Sequence, residues 1–286
     1  MKKGILKKLI AVVAVATIAI SAVGCGNSKS TDATGDGAGD TKVEASGDGV
    51  NLESIKSKGK LVVGTSADFP PYEFHKEIDG KDEIVGFDID IAKEVAKDLG
   101  VELEIKDMDF DGLLVALQAG KVDMVFAGMS PTEERKQNAD FTDVYYQGNH
   151  TFIMRAGEEA GINAMEDLNG KKIGVQKGSI QEEMAKEAYG EENLKSLAKV
   201  TDLVLDLKNN KVDAILVETA VAEFNVEKNE GLALTGFTVE DETGGSAIAL
   251  KKGSDEVVAE VNKTIQKLKD EKKIDEFVVN ANEMMD

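Results

Sequence analysis

The sequence predicts an α/β protein of two similar lobes, each built on a mostly parallel sheet flanked by helices. Short β-branched runs alternate with amphipathic segments along the chain, which is the pattern of βαβ units. Two short sequence motifs also occur twice, in the same order along the chain. Residues 59–64 resemble residues 170–175, and residues 117–123 resemble residues 207–213; we call these motifs the echoed phrases. Any two βαβ units can share such phrases, but two echoes in one order favour two related lobes. Of the 286 residues, 42% are hydrophobic, which is enough apolar material for a packed core.

Strands are predicted where a short apolar run is bounded by turn residues. Lys60–Thr65 is such a run, because Gly59 precedes it and the turn-rich segment 66–71 follows it. The same reasoning predicts strands at 101–106, 122–127, 173–176, 214–217 and 246–250.

Three segments have the period of an amphipathic helix. In the segment 88–99, Asp88 is placed to cap the helix and a glycine follows its last residue. The segment 111–119 repeats this pattern with Asp111 as the cap. A longer helix is predicted at 254–268.

The chain is expected to cross between the two lobes twice. The apolar segment 145–155 has no helical period, as expected of an extended crossing. If the helix at 254–268 packs back on the first lobe, a second crossing completes a two-segment hinge. We therefore expect lobe I at 52–144 plus 246–286, and lobe II at 145–245.

The N-terminus has the features of a bacterial lipoprotein signal over residues 1–24. Four lysines precede the apolar run 9–23, which ends at Gly24-Cys25. The run is shorter than the roughly 20 residues that a membrane-spanning helix needs. We expect lipidation of Cys25, followed by a flexible tether over 25–51. The expected location is extracytoplasmic, lipid-anchored to the membrane of a Gram-positive cell surface. An ordinary secretory signal with an incidental cysteine is the alternative.

Charge and composition exclude several functions. The formal net charge of −20 opposes nucleic-acid binding, because phosphates would be repelled. With one cysteine and no cysteine or histidine cluster, we expect no disulfide framework, no metal site and no cofactor. The two histidines, His75 and His150, stand in no phrase with a nucleophile or a metal partner. We expect both at the surface and assign no catalytic residue.

The phrase that follows the predicted strand 122–127 has the residues of an anion site. Residues 130–133 read as a capping box led by Ser130, whose free N–H groups would attract an anion. Arg135 can add a bidentate fork suited to a carboxylate. The alternative is that Ser130 only caps and that Arg135 only pairs with a nearby aspartate. Because ligands of open α/β sheets bind at strand ends, we favour a binding site.

Residues 178–180 form the corresponding strand-to-helix turn of the second lobe. Its main-chain N–H groups, above all that of Ile180, can reach the other side of the same carboxylate. Gln176 at the end of the preceding strand can hydrogen-bond either an amide or a guanidinium. The turn lacks the Gly-Lys-Ser/Thr that a phosphate-binding loop requires.

Four groups of motifs carry a resemblance to a known family. They are 68–73 with 85–90, 108–113, 127–135 with 140–143, and 172–178. On these motifs the chain resembles the extracellular solute-binding proteins, family 3, of polar amino-acid ABC importers, including those of lipoprotein type. The resemblance implies a two-lobed periplasmic-binding fold of type II that closes on a free amino acid.

The resemblance also implies roles for individual residues. Phe69, Tyr72 and Phe110 fall where the family stacks aromatic rings around the ligand side chain, although such rings also pack in cores. Glu218 stands where the family usually has an aspartate that holds the α-ammonium, and its plainer role is to begin a helix. Asp68 is the polar group expected to meet the distal end of the ligand side chain.

The predicted ligand-binding residues all lie at strand ends and first turns. The set is Asp68, Phe69, Tyr72, Phe110, Ala127, Gly128, Ser130, Arg135, Gln176, Ser179, Ile180 and Glu218.

The expected function is that of a monomeric substrate-binding lipoprotein without enzymatic activity. It would bind free glutamine, arginine, lysine or histidine and deliver it to an ABC permease and its ATPase. A ligand-sensing lipoprotein for a membrane receptor is one alternative. A dehydratase-like enzyme on the same fold is another.

Overall fold

The computed structural model describes residues 49–284. The predicted signal peptide, Cys25 and most of the predicted tether lie outside the described residues. The packed chain begins before the predicted boundary at Leu52, because the Val50 N–H donates to Ser254 Oγ at 2.9 Å. Asn51 then caps the first helix by accepting from the Ser54 N–H at 2.8 Å.

The strands of the described part are β1 (Lys60–Thr65), β2 (Asp68–Phe69), β3 (Glu73–Ile78), β4 (Lys81–Val85), β5 (Glu102–Asp107), β6 (Met124–Val125), β7 (Ala139–Phe141), β8 (His150–Arg155), β9 (Ile173–Gln176), β10 (Leu194–Leu197), β11 (Ala214–Glu218), β12 (Leu232–Leu234) and β13 (Ala249–Lys251). The α-helices of the same residues are α1 (Leu52–Lys58), α2 (Phe87–Leu99), α3 (Leu113–Gln118), α4 (Glu133–Asn138), α5 (Ile180–Tyr189), α6 (Val200–Lys208), α7 (Thr219–Lys228), α8 (Asp255–Asp270) and α9 (Lys273–Glu283).

Within residues 49–284 the strands form two five-stranded sheets of matching order, β5-β1-β6-β13-β7 and β10-β9-β11-β8-β12. The predicted two-lobed α/β fold is therefore confirmed. The sheets are more mixed than predicted, because β13 and β8 run antiparallel to both of their neighbours. Each of these two strands follows a crossing between the lobes. The strands β2, β3 and β4 form a separate antiparallel sheet, which begins at the turn after β1.

The echoed phrases occupy equivalent places in the two sheets and make equivalent bonds. The first pair of phrases forms β1 and β9, and the second pair leads into β6 and β11. Asp123, before β6, accepts from the Val62 N–H at 2.8 Å. Asp213, before β11, accepts from the Lys172 N–H at 2.8 Å. Each aspartate thus bonds the start of one central strand to the main chain of the neighbouring strand. This shared role is a physical reason for the repeated sequence motif.

Two predicted caps are wrong. The first is Asp88, since α2 begins at Phe87 with Gly86 as its cap, and the Asp88 carboxylate accepts from the Gly128 N–H instead. The second is Asp111, since a 3-10 turn precedes α3 and the Asp111 side chain pairs with Lys177 at 2.8 Å. In both cases the carboxylate that the local pattern predicts to cap a helix instead bonds a residue distant in the sequence.

The two crossings lie side by side, as a two-segment hinge requires. Tyr146 and Ser246 form an isolated antiparallel bridge, and the Tyr145 N–H donates to the Ser246 carbonyl at 2.9 Å. After the second crossing, α8 returns to lobe I, where Thr264 Oγ1 donates to Asp98 of α2 at 3.0 Å. The exact lobe boundaries stay a prediction. No helix of residues 49–284 has the length and apolar character needed to cross a bilayer.

Gly86 is a position at which this fold leaves no room for a side chain. Its φ is +129°, and a Cβ placed there would stand 2.1 Å from the Tyr72 carbonyl oxygen. At Gly100, with φ +74°, a Cβ would meet no atom within 4 Å. Gly100→Ala should cost about 1–2 kcal/mol of unfolding free energy for the left-handed backbone alone. Gly86→Ala should cost roughly 1–3 kcal/mol more, because the main chain must also move.

Urea unfolding of both variants checks this prediction. Equal losses for Gly86→Ala and Gly100→Ala would contradict the close approach of α2 to the Tyr72 main chain.

Candidate functional site

A small cavity between the two lobes gathers most of the predicted site residues. Its volume is about 20 Å³, close to the space of one water molecule, so a larger guest requires side chains or lobes to move apart. Its lining is Phe69, Phe110, Ala127, Gly128, Ser130, Arg135, Gln176, Ser179, Ile180 and Gln181. All of these except Gln181 were predicted, and the first six come from lobe I.

The Arg135 guanidinium joins the two walls of the cavity. It donates to the Ser130 carbonyl at 2.8 Å in lobe I and to the Gly178 carbonyl at 2.9 Å in lobe II. Its Cζ lies 5.5 Å from the centre of the Phe110 ring, a cation–π distance. Two of the five N–H donors of the guanidinium make these bonds, which leaves three for a further acceptor.

The positive charge on the lobe I side of the cavity comes from the Arg135 guanidinium rather than from the N-terminus of a helix. The predicted capping box is wrong in detail, because Thr132, not Ser130, caps α4 by accepting from the Arg135 N–H at 3.2 Å. With six residues, α4 is also too short to provide a strong dipole. Burial lowers the pKa of Arg135, while the carboxylates of Glu183, Glu134 and Asp241 oppose that shift.

The opposite wall is the first turn of α5. Ser179 caps this helix, accepting from the Glu182 N–H at 3.2 Å and donating to the Gln176 carbonyl at 2.7 Å. Its hydroxyl is therefore engaged within lobe II. The N–H groups of Ile180 and Gln181 are the first two of the helix and have no partner inside it. They are the donors that α5 can present to an anion.

Two glutamines and a histidine complete this wall. Gln176 Nε2 donates to the Ala198 carbonyl at 3.2 Å. Gln181, which sequence reasoning missed, lies 3.2 Å from His150 Nδ1. Its place directly after Ile180 at the predicted helix start was the available signal. The prediction that His150 is exposed is wrong, because it is buried in β8 and burial lowers its pKa.

The aromatic residues divide between the cavity and the core. Phe69 and Phe110 line the cavity. Tyr72 does not, because it packs between Phe69, at 5.4 Å between ring centres, and Phe87, at 4.3 Å. Tyr72 thus supports the ring of Phe69 from behind.

Asp68 lies outside the cavity lining and links the lobes. One of its oxygens accepts from the Val200 N–H, the first of α6, at 2.5 Å, and the other accepts from Ser66 Oγ at 3.0 Å. Burial raises the pKa of Asp68, and these donors oppose the shift. Lys177 makes a second contact across the cleft, to Asp111.

Glu218 also lies outside the lining and caps α7. Its Oε2 accepts from the N–H groups of Ala220 at 2.8 Å and Val221 at 3.2 Å. Burial raises its pKa to about 7. Its Oε1 makes no capping bond and packs against the Cα of Gly148, where a Cβ would approach it to 2.2 Å.

Acidic side chains line a second cavity beside the small one. A neighbouring cavity of about 430 Å³ shares Ile180 with the small one. Five carboxylates line it, from Glu183, Glu187, Glu240, Asp241 and Glu242. Neither lining contains a lysine, and Arg135 is the only arginine in the two. Among the described residues no group of histidine, cysteine or acidic side chains is arranged to hold a metal ion.

Comparison with known proteins gives one consistent result. The sequence profile of the bacterial extracellular solute-binding proteins, family 3, matches residues 61–280. The arginine-binding extracellular protein ArtP of Bacillus subtilis is 43% identical over 225 residues, which are 77% of this chain and 85% of that protein. The glutamine-binding protein GlnH of the same organism is 33% identical over 230 residues, covering 79% of this chain and 82% of that protein.

A solved structure shows the same fold. The amino acid ABC transporter substrate-binding protein AbpA of Streptococcus pneumoniae, bound to L-arginine, is 44% identical with a TM-score of 0.79. The match covers 82% of this chain and 98% of that one. A point mutant of arginine-bound ArgBP of T. maritima gives a TM-score of 0.71 at 37% identity, covering 76% of this chain and 99% of that one.

Proposed function

Because the chain belongs to the bacterial extracellular solute-binding proteins, family 3, we propose that it is the substrate-binding protein of an amino-acid ABC importer. It captures a free amino acid in the cleft between its lobes and delivers it to a permease that an ATPase drives. The observation that carries this proposal is the cavity in which Arg135 of lobe I faces the first turn of α5 in lobe II.

The ligand carboxylate belongs between these two walls. The remaining N–H donors of Arg135 provide a charged fork, and the Ile180 N–H provides a neutral donor at a helix start. The bond from Arg135 to the Gly178 carbonyl is the contact that an incoming carboxylate would replace. We assign the α-ammonium to Glu218, through the oxygen that does not cap α7.

The ligand side chain is polar or cationic, with arginine the first candidate. The five carboxylates of the neighbouring cavity favour a cation, and Phe69 and Phe110 offer faces for an aliphatic stem or a guanidinium. ArtP is named for arginine, AbpA was solved with L-arginine bound, and GlnH is named for glutamine. Glutamine, lysine and histidine therefore stay in the candidate set.

The location follows from the N-terminal sequence. We propose that residues 1–24 are removed, that Cys25 carries the lipid and that residues 25–48 tether a monomeric two-lobed body to the outer face of the membrane. We propose no enzymatic activity for the chain.

Replacing Arg135 tests the site and the function together. Wild-type protein should bind L-arginine in an isothermal titration, and Arg135→Ala should weaken binding of arginine and glutamine alike by at least tenfold. The reason is the loss of charge-assisted hydrogen bonds to the carboxylate that all amino acids share, about 1.5–3 kcal/mol.

Lys136→Ala is the matched control, because the Lys136 side chain is exposed and pairs with Glu133 at 2.8 Å on its own helix. Unchanged affinity in Arg135→Ala would refute the site, and a wild type that binds none of the four candidates would refute the function.

Asp68→Asn separates closure of the cleft from selectivity. Since Asp68 holds the α6 N–H of the other lobe, the variant should lose arginine and glutamine affinity by similar factors, about three- to tenfold. Asp82→Asn, at an exposed position of the three-stranded sheet, is the control. A loss much larger for arginine than for glutamine would contradict this role. It would support the sequence prediction that Asp68 contacts the distal end of the ligand side chain.

Cys25→Ala tests the anchor. The variant should leave the membrane fraction while its titration with arginine is unchanged, since the tether separates the anchor from the lobes. Wild-type protein found only in the medium, without lipid by mass spectrometry, would contradict the anchor.

A further inference from the structure

Two carboxyl groups face each other in the interior of lobe I, behind the cavity. Glu73, the first residue of β3, and Asp88, the second residue of α2, are both fully buried. Asp88 Oδ2 accepts from the Gly128 N–H at 2.9 Å and from the Tyr145 hydroxyl at 2.8 Å. The other oxygen of Asp88 and both oxygens of Glu73 have no N–H or O–H partner among the remaining described residues.

The surroundings provide no positive charge. The ionisable groups that face Glu73 are Asp88, Asp68 of β2 and Asp107 at the end of β5. Tyr145 of the first crossing faces both carboxyls, and Tyr72 lies beside Asp88. None of the ion pairs of the described residues includes Glu73 or Asp88.

Two ionised carboxylates cannot lie together there without a cation. Each would lose its hydration and repel the other, whereas a proton placed between them turns one acceptor into a donor. The main chain brings Glu73 and Asp88 together, because the Asp88 N–H donates at 3.0 Å to the carbonyl of Tyr72, the residue before Glu73. Burial raises the pKa of Asp88 to about 6, and it raises the pKa of Glu73 well above its usual range, with Asp88 adding to that effect.

We propose that Glu73 and Asp88 share one proton and that this pair positions the main chain of Gly128 at the floor of the cleft. Glu73 carries the proton and donates it in a hydrogen bond to the free oxygen of Asp88. The other oxygen of Asp88 then keeps its negative charge for the Gly128 N–H and the Tyr145 hydroxyl. The effect on ligand binding rests on the proposed function. The sharing of the proton between Glu73 and Asp88 is independent of that function.

The position of Gly128 explains why the pair would matter for binding. Gly128 has φ +52°, and a Cβ on it would stand 3.2 Å from the Phe69 ring and 3.3 Å from the Tyr72 ring. Its N–H points back to Asp88, so the strand end that carries Ala127 and Ser130 is fixed from behind. Tyr145 ties the same carboxylate to the crossing beside the Tyr146–Ser246 bridge.

The shared proton is tested without ligand, by unfolding wild type and Glu73→Gln between pH 5 and pH 8. Above about pH 4.5 the unfolded chain releases the Glu73 proton and the folded chain keeps it, so wild-type stability falls as pH rises. One retained proton makes the unfolding equilibrium constant rise up to tenfold per pH unit. Glu73→Gln keeps a donor but cannot titrate, so its slope should be smaller than that of wild type by the contribution of one proton, and it should be the more stable form at pH 8. The remaining slope comes from groups that both proteins share, such as Glu218, whose pKa burial raises to about 7. Glu77→Gln, at an exposed site on the same strand, should keep the wild-type slope. Equal slopes for wild type and Glu73→Gln would overturn the shared proton.

The positioning role is tested by titration with L-arginine at pH 7. Glu73→Gln should bind within threefold of wild type, because its amide still donates to Asp88. Glu73→Leu leaves Asp88 without that donor and should bind at least tenfold more weakly. If Glu73→Leu folds and binds as wild type does, the positioning role is wrong. If it does not fold, the Glu73→Gln titration decides, because a tenfold loss there would equally refute the role. Failure of the wild type to bind would refute the proposed function and leave the pH test of the proton in force.

Discussion

The Arg135 guanidinium lies where the two lobes meet and donates to one main-chain carbonyl on each side. A partly buried cation is stabilised by nearby acceptors and counter-charges, and both are present at this point. Ser130 and Gly178 provide the acceptors, and the carboxylates of Glu183, Glu134 and Asp241 provide the counter-charge. The N–H group that bonds the Gly178 carbonyl across the cleft in this conformation is one that a carboxylate ligand also needs. Closure of the cleft and recognition of an amino acid therefore use one group.

The matching order of the two sheets places the other site residues around that group. In lobe I the loops after β1 and β6 carry Phe69 and the segment 127–130. In lobe II the strands at the equivalent places, β9 and β11, lead into α5 and into Glu218. The carboxyl ends of parallel strands share one edge of a sheet, so each lobe presents two loops to the cleft.

The sequence predicted the fold and most of the site because both depend on local patterns. The echoed phrases identified the equivalent strands, since the aspartates at their ends bond the neighbouring strand in the same way. Residues that face the cavity were found because they stand directly after strands. The errors are of a different kind. Asp88, Asp111 and Asp68 have sequence contexts that suit a cap or a ligand contact, yet each is taken by a partner about 40 to 130 residues away in the chain. Such partners are set by packing, and no local pattern encodes them.

The most direct test of amino-acid binding in this cleft is a crystal structure of the chain grown with L-arginine. We expect the ligand carboxylate within about 3 Å of both the Arg135 guanidinium and the Ile180 N–H, with the bond from Arg135 to the Gly178 carbonyl replaced. Arginine bound elsewhere, or bound in the cleft with its carboxylate away from Arg135, would contradict this site.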